Sequence, residues 1–197
     1  RQTIRANIED VEQRIESACA RCGRKRADVM LVAVTKTVTP QIAALLPELG
    51  VHDLGENRPQ ELWHKADALP RDVRWHLIGH LQRNKIERTL PLAHLLHSID
   101  SIRLLQSLEK GAAAQGRSVP VLLEVNASGE ATKQGFAPAD MARLTPVLAE
   151  LKHVQVRGLM TMPALQEPEA CRPAFVTLWN LRDQLQTSLP GHRVEHL

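Results

Sequence analysis

Apolar residues at the start of the chain fall three and four positions apart. Ile4, Ile8, Val11, Ile15 and Ala18 trace one stripe, the spacing of a helix with one buried face, and Gly23 marks a natural stop. The period then changes. Met30-Leu31-Val32-Ala33-Val34-Thr35 is a short and almost wholly apolar run, which predicts a strand buried on both faces. Thr39-Pro40 predicts a helix start with proline in the first turn, and Gly50 its end. From there short apolar runs alternate with helical stretches. Further strands are predicted at Val51–Leu54, Val73–Ile78, Leu95–Ile99, Val119–Val125 and Val154–Leu159. Helices are predicted near Asn57–Ala68, Gln82–Thr89, Ser101–Gln115, Pro138–Leu151 and Pro168–Leu189. Arg193–Leu197 reads as the start of a seventh strand.

Strands that alternate with helices pair in parallel through crossover connections. An open doubly wound sheet and a closed barrel both satisfy that rule. The strands are short, the repeat is regular, and no glycine-rich dinucleotide loop follows the first strand. The pattern therefore favours an α/β fold of the TIM-type (β/α)8 barrel class. A single domain over residues 1–197 is expected. Six strands and a stub do not close a barrel, so its C-terminal strands are expected after Leu197.

Composition adds exclusions. At 24% charged and 43% hydrophobic residues, the 197-residue chain has the make-up of a globular protein with one core. No apolar run reaches the length of a membrane span, and the charged stretch Arg1–Asp10 lacks the core of a secretion signal. Three cysteines and no export signal point to a reducing cytoplasm. The net charge of +3 comes from scattered residues, with no tyrosine and few other aromatics. That is no nucleic-acid surface.

In a barrel, chemistry belongs at the C-terminal ends of strands and in the loops that follow. Strand one ends in Thr35-Lys36-Thr37. An ammonium at the inner end of an apolar strand is partly desolvated, which favours the free amine needed to form a Schiff base with a carbonyl. The plainer reading is a lysine whose stem covers apolar surface while its head reaches water. Strand two runs into Gly55-Glu56-Asn57-Arg58, strand three into Gly79-His80, strand five into Asn126-Ala127-Ser128-Gly129-Glu130, and strand six into Met160-Thr161-Met162.

Several other signals carry little. Cys19-Ala20-Arg21-Cys22 closes a helix, whereas redox pairs open one. His76 and His80 lie four apart along a strand and lack the glutamate of a zincin. Gly111–Ser118 ends a helix and has Arg117 where a phosphate-binding loop needs lysine.

Taken in order, six strings carry a resemblance. They are Leu31-Val32-Ala33-Val34-Thr35-Lys36-Thr37, Gly55-Glu56-Asn57-Arg58, Trp75 to Lys85, His97-Ser98-Ile99-Asp100-Ser101, Val125 to Glu130 with Lys133 and Gly135, and Gly158 to Met162. Together they resemble the pyridoxal phosphate homeostasis proteins, from about Leu31 to Met162. The resemblance implies a barrel related to the cofactor-binding domain of alanine racemase, with pyridoxal 5′-phosphate (PLP) held as a Schiff base on Lys36. It also implies that Asn57, His80, Asn126 and Met160 line the same mouth. The implied role is intracellular PLP buffering and delivery without robust catalysis, by a monomer whose partners would be PLP-dependent apo-enzymes. Phosphate-binding segments would follow Leu197. Pro59 stands where the family has a bulkier apolar residue, and proline suits a first helical turn.

Two enzymatic readings stay open beside it. One is a PLP-dependent amino-acid racemase or lyase, with His80 as the nameable acid/base. Fold-related racemases use a tyrosine, which this chain lacks. The other is a Schiff-base aldolase that uses Lys36 on a sugar phosphate.

Overall fold

The structure, a computed structural model, describes residues 1–130, 133–163, 167–189 and 191–197. Helix α1 (Gln2–Arg21) precedes a six-stranded sheet of β1 (Ala33–Val34), β2 (Asp53–Glu56), β3 (Arg74–Leu77), β4 (Ala93–Ile99), β5 (Val119–Glu124) and β6 (Val154–Met160). Every strand is parallel to its neighbour, and the sheet order is the chain order. The crossovers carry α2 (Pro40–Ala43), α3 (Pro59–Ala68), α4 (Ile86–Thr89), α5 (Ile102–Ala114) and α6 (Met141–Ala149), and α7 (Pro168–Ser188) follows β6. This is the α/β barrel architecture the alternation predicts.

Several predicted elements differ in extent: the helices expected at Gln82–Thr89 and Pro138–Leu151 each open with a 3-10 turn, the strand expected at Arg193–Leu197 is a single bridge, and three others change more. The first strand is two residues long and lies at the edge of the described sheet, where β2 is its one ladder partner among the described residues. The second strand runs two residues past its predicted end, carrying the fully buried Glu56 inside it. A carboxylate breaks the apolar pattern, so the sequence reads it as loop. The helix predicted from Thr39 to Gly50 is one α-helical turn followed by a 3-10 turn at Pro47–Leu49. Pro47 has no N–H to continue the first helix.

Alternation along the strands sorts their side chains onto two faces. Leu54, Trp75, Leu77, Leu96, Val121, Leu123, Val156 and Leu159 face the helices, where they pack with Leu62, Leu104, Leu105, Leu108 and Leu148 in one buried cluster. The other face forms the concave interior. The last described segment joins this sheet: His196 pairs in parallel with Gly158, and the Leu159 N–H donates to the His196 carbonyl at 3.1 Å. A Cβ on Gly158 would lie 2.1 Å from that oxygen, so the approach requires glycine. Among the described residues, no helix is long and apolar enough to cross a membrane.

Candidate functional site

Lys36 leaves the C-terminal end of β1 and is exposed. Among the described residues nothing covers its side chain. Beneath Lys36 the backbone is firmly held. The Thr35 N–H donates to the Gly55 carbonyl at 2.9 Å, and the Thr35 carbonyl accepts from the Val38 N–H at 3.1 Å. The same carbonyl accepts from the Lys65 ammonium at 2.7 Å. Lys65 also contacts Glu56 Oε1 at 2.5 Å, and that oxygen accepts from Thr35 Oγ1 at 2.5 Å. All three side chains are buried.

Lys36 lines a cleft of about 620 Å³ together with Thr37, Asn57, Arg58, Glu61 and His64. Asn57 follows β2 directly and is half-buried. Its carbonyl is pressed against Gly79, where an added Cβ would come within 2.1 Å. His80, one residue further, lines a neighbouring cleft of about 410 Å³ with Gln82, Arg83, Asp100, Ser101 and Arg103. His80 Nδ1 lies 3.3 Å from Asp100 Oδ2. Glu124, at the end of β5, pairs in register with Met160 of β6. Burial, and after it the Asp100 carboxylate, raises the Glu124 carboxyl above its usual range, against a smaller pull downward from His80.

The predicted residues thus fall into distinct settings. Lys36 and Asn57 share one cleft. His80 belongs to an adjoining one, and Met160 sits on the far strand beside Glu124. Asn126 is engaged in its own loop: its amide donates to the Glu130 carbonyl at 2.8 Å, and its oxygen accepts from the Gly129 N–H at 3.1 Å. Its polar atoms shape that loop.

Below the mouth lies a polar floor that the sequence reading missed. His76 is fully buried; its Nε2 lies 3.0 Å from Asp53 Oδ1 and its Nδ1 lies 2.9 Å from His97 Nε2. Arg74 Nε donates to the same Asp53 oxygen at 2.7 Å. Burial lowers His76 below the ordinary histidine value despite the upward pull of Asp53. Burial, followed by His76 and His196, lowers His97 to about 4. Burial opposes ionisation of Asp53, but hydrogen bonds from Arg74 and His76 prevail and hold its carboxyl below the usual range. Period-two spacing of Asp53, Gly55 and Asn57, and of His76, Ile78 and His80, was the signal that placed them on one face.

The donor set at the larger cleft fits an aldehyde cofactor that also carries polar and anionic groups. Lys36 offers a primary amine in the open, Asn57 an amide, and Arg58 a guanidinium, in a space of ordinary ligand size.

Residues 2–196 match the family model for the alanine racemase N-terminal domain. A pyridoxal phosphate homeostasis protein of Aquifex aeolicus is 40% identical over 178 residues, which cover 89% of this chain and 78% of that protein. The chain belongs to the pyridoxal phosphate homeostasis family. Two solved structures agree with that membership. A Bifidobacterium adolescentis protein of unknown function superposes with a TM-score of 0.91 at 36% identity, covering 98% of this chain and 83% of that one. PipY of Synechococcus elongatus, solved with PLP bound, gives a TM-score of 0.77 at 30% identity, covering 91% of this chain and 85% of PipY. The six ordered strings of this member of the family carry the resemblance that these matches bear out.

Proposed function

We propose that this chain binds PLP with Lys36 as its covalent anchor and serves to buffer and deliver the cofactor. The observation that carries the reading is an exposed lysine at the end of β1, in a cleft shared with Asn57, in a family whose member PipY has been solved with PLP bound. PLP supplies an aldehyde that a lysine amine attacks reversibly. The chain's own part is to present that amine in the cleft it shares with Asn57, where Arg58 adds positive charge. We take residues 1–197 as part of a single PLP-binding barrel domain, incomplete at the C-terminus, of a cytoplasmic monomer, with PLP-dependent apo-enzymes as recipients.

The test is to incubate the protein with PLP, reduce with borohydride and map the label by peptide mass spectrometry. A single label on Lys36, absent from Lys36→Ala, is the expected result. A labelled protein whose Lys36 peptide stays unmodified would overturn the assignment.

The His80–Asp100–Glu124 cluster favours a second reading, in which the site also moves protons as an amino-acid racemase or lyase. Steady racemisation of alanine that falls in His80→Gln would establish it. Loaded protein that leaves amino acids unchanged would remove it.

A further inference from the structure

Burying a lysine to 1% exposure is costly unless its charge is matched. Here it is matched unevenly. The Lys65 ammonium and the Thr35 hydroxyl both address Glu56 Oε1, at 2.5 Å each, while Glu56 Oε2 is buried with no hydrogen-bond partner among the described residues. A pair placed for stability would satisfy both oxygens, and well-packed apolar residues commonly stabilise as much as a buried ion pair or more. What the arrangement does accomplish is mechanical. It ties α3, the end of β2 and the end of β1 together at one point, and that point is the residue before Lys36.

Thr35 consequently has no freedom. Its N–H is held by Gly55, its carbonyl by Val38 and Lys65, and its hydroxyl by Glu56. Lys36 is exposed, and among the described residues no packing sleeve surrounds its side chain. The direction in which its amine points is set chiefly by how the backbone leaves β1.

We propose that the buried Lys65–Glu56 pair is a positioning device for Lys36: it fixes Thr35 so that the Lys36 amine is presented to the cleft shared with Asn57. Lys65 also contributes to the wall of that cleft, but its ammonium is turned into the buried pair, and through it Lys65 and Glu56 act on Thr35. The proposal rests on the reading of Lys36 as the anchor.

Removing Lys65 alone strands a buried carboxylate, so Lys65→Met is expected to fold poorly. The informative protein is the triple variant Thr35→Val/Glu56→Met/Lys65→Met, which removes every polar side-chain group of the network while roughly keeping its volume. Both proteins are melted without cofactor, titrated with PLP by absorbance, and mapped after borohydride reduction. The triple variant is expected to melt as cooperatively as the parent, to lose roughly tenfold or more in PLP affinity, and to spread its label from Lys36 to other lysines. Thr35→Ser, which keeps the hydroxyl, is expected to behave as the parent. A folded triple variant labelled only at Lys36 with parental affinity would overturn the proposal. So would a triple variant that does not fold, because the pair would then serve the fold and not the lysine. A parent protein unlabelled at Lys36 is a different failure, since it removes the anchor itself.

Discussion

Gly79 is defined by the side chain it lacks. Any Cβ there would sit 2.1 Å from the Asn57 carbonyl oxygen, so the loops after β2 and β3 meet at a distance that only glycine permits. Gly79→Ala is expected to push the Asn57 backbone out of the cleft, to destabilise by about 1–3 kcal/mol and to weaken PLP binding. Calorimetric titration together with a thermal melt checks both effects. Lys65→Met is expected to cost more, about 3–5 kcal/mol, because it leaves Glu56 charged and unpaired inside the protein. Chemical denaturation measures it, and a loss below 1 kcal/mol would show that the carboxylate finds another partner. Lys36 was legible because it ends an apolar run within a recognisable string. Lys65 was not. It lies on a helix beside charged and polar neighbours, and its burial depends on Glu56 and on Thr35, thirty positions earlier.

At the level of elements, α5 and β6 are joined by one side chain. Glu109 of α5 accepts hydrogen bonds from the backbone N–H groups of Lys152, His153 and Val154 as β6 begins. Burial works against its ionisation, but the His153 side chain and those N–H groups prevail and hold its carboxyl at about 2. A carboxyl held lower in the folded state than in the unfolded one stabilises the fold above its unfolded value and loses that contribution as the pH falls. The window here runs from about 4.5 down to about 2. Glu109→Gln is expected to lower stability by about 1 kcal/mol at neutral pH, after allowance for solvent screening, and to match the parent near pH 2. Denaturant midpoints at the two pH values provide the check. The strands from β3 onward were legible as apolar runs between turn signals. The boundaries of β2 and α2 were not, because a buried glutamate and Pro47 each broke the local pattern for a reason set elsewhere in the fold.

For the molecule as a whole, the alternation of elements revealed the barrel and concealed what fills it. Barrel interiors are usually packed with branched apolar side chains, so nothing in the repeat announces a floor of Asp53, His76 and His97. That floor ties global stability to acidity. His97 is held at about 4 against an ordinary value of 6.5, so the unfolded chain binds its proton first. Stability is therefore expected to fall as the pH drops from 6.5 towards 4, by up to about 3 kcal/mol. Urea unfolding across that range is the measurement. His97→Gln is expected to flatten the slope, and an unchanged slope in that variant would place the acid sensitivity elsewhere.

The sheet order also has a bearing on how the molecule comes into being. Each strand from β2 to β6 pairs with the one made just before it, so each is added to an edge that already exists. The sheet can be laid down in the order in which the ribosome releases it, one crossover at a time. Lys36 and its buried support at Glu56 and Lys65 come from β1, β2 and α3, and so all the parts of that support have left the ribosome before the later half of the sheet exists.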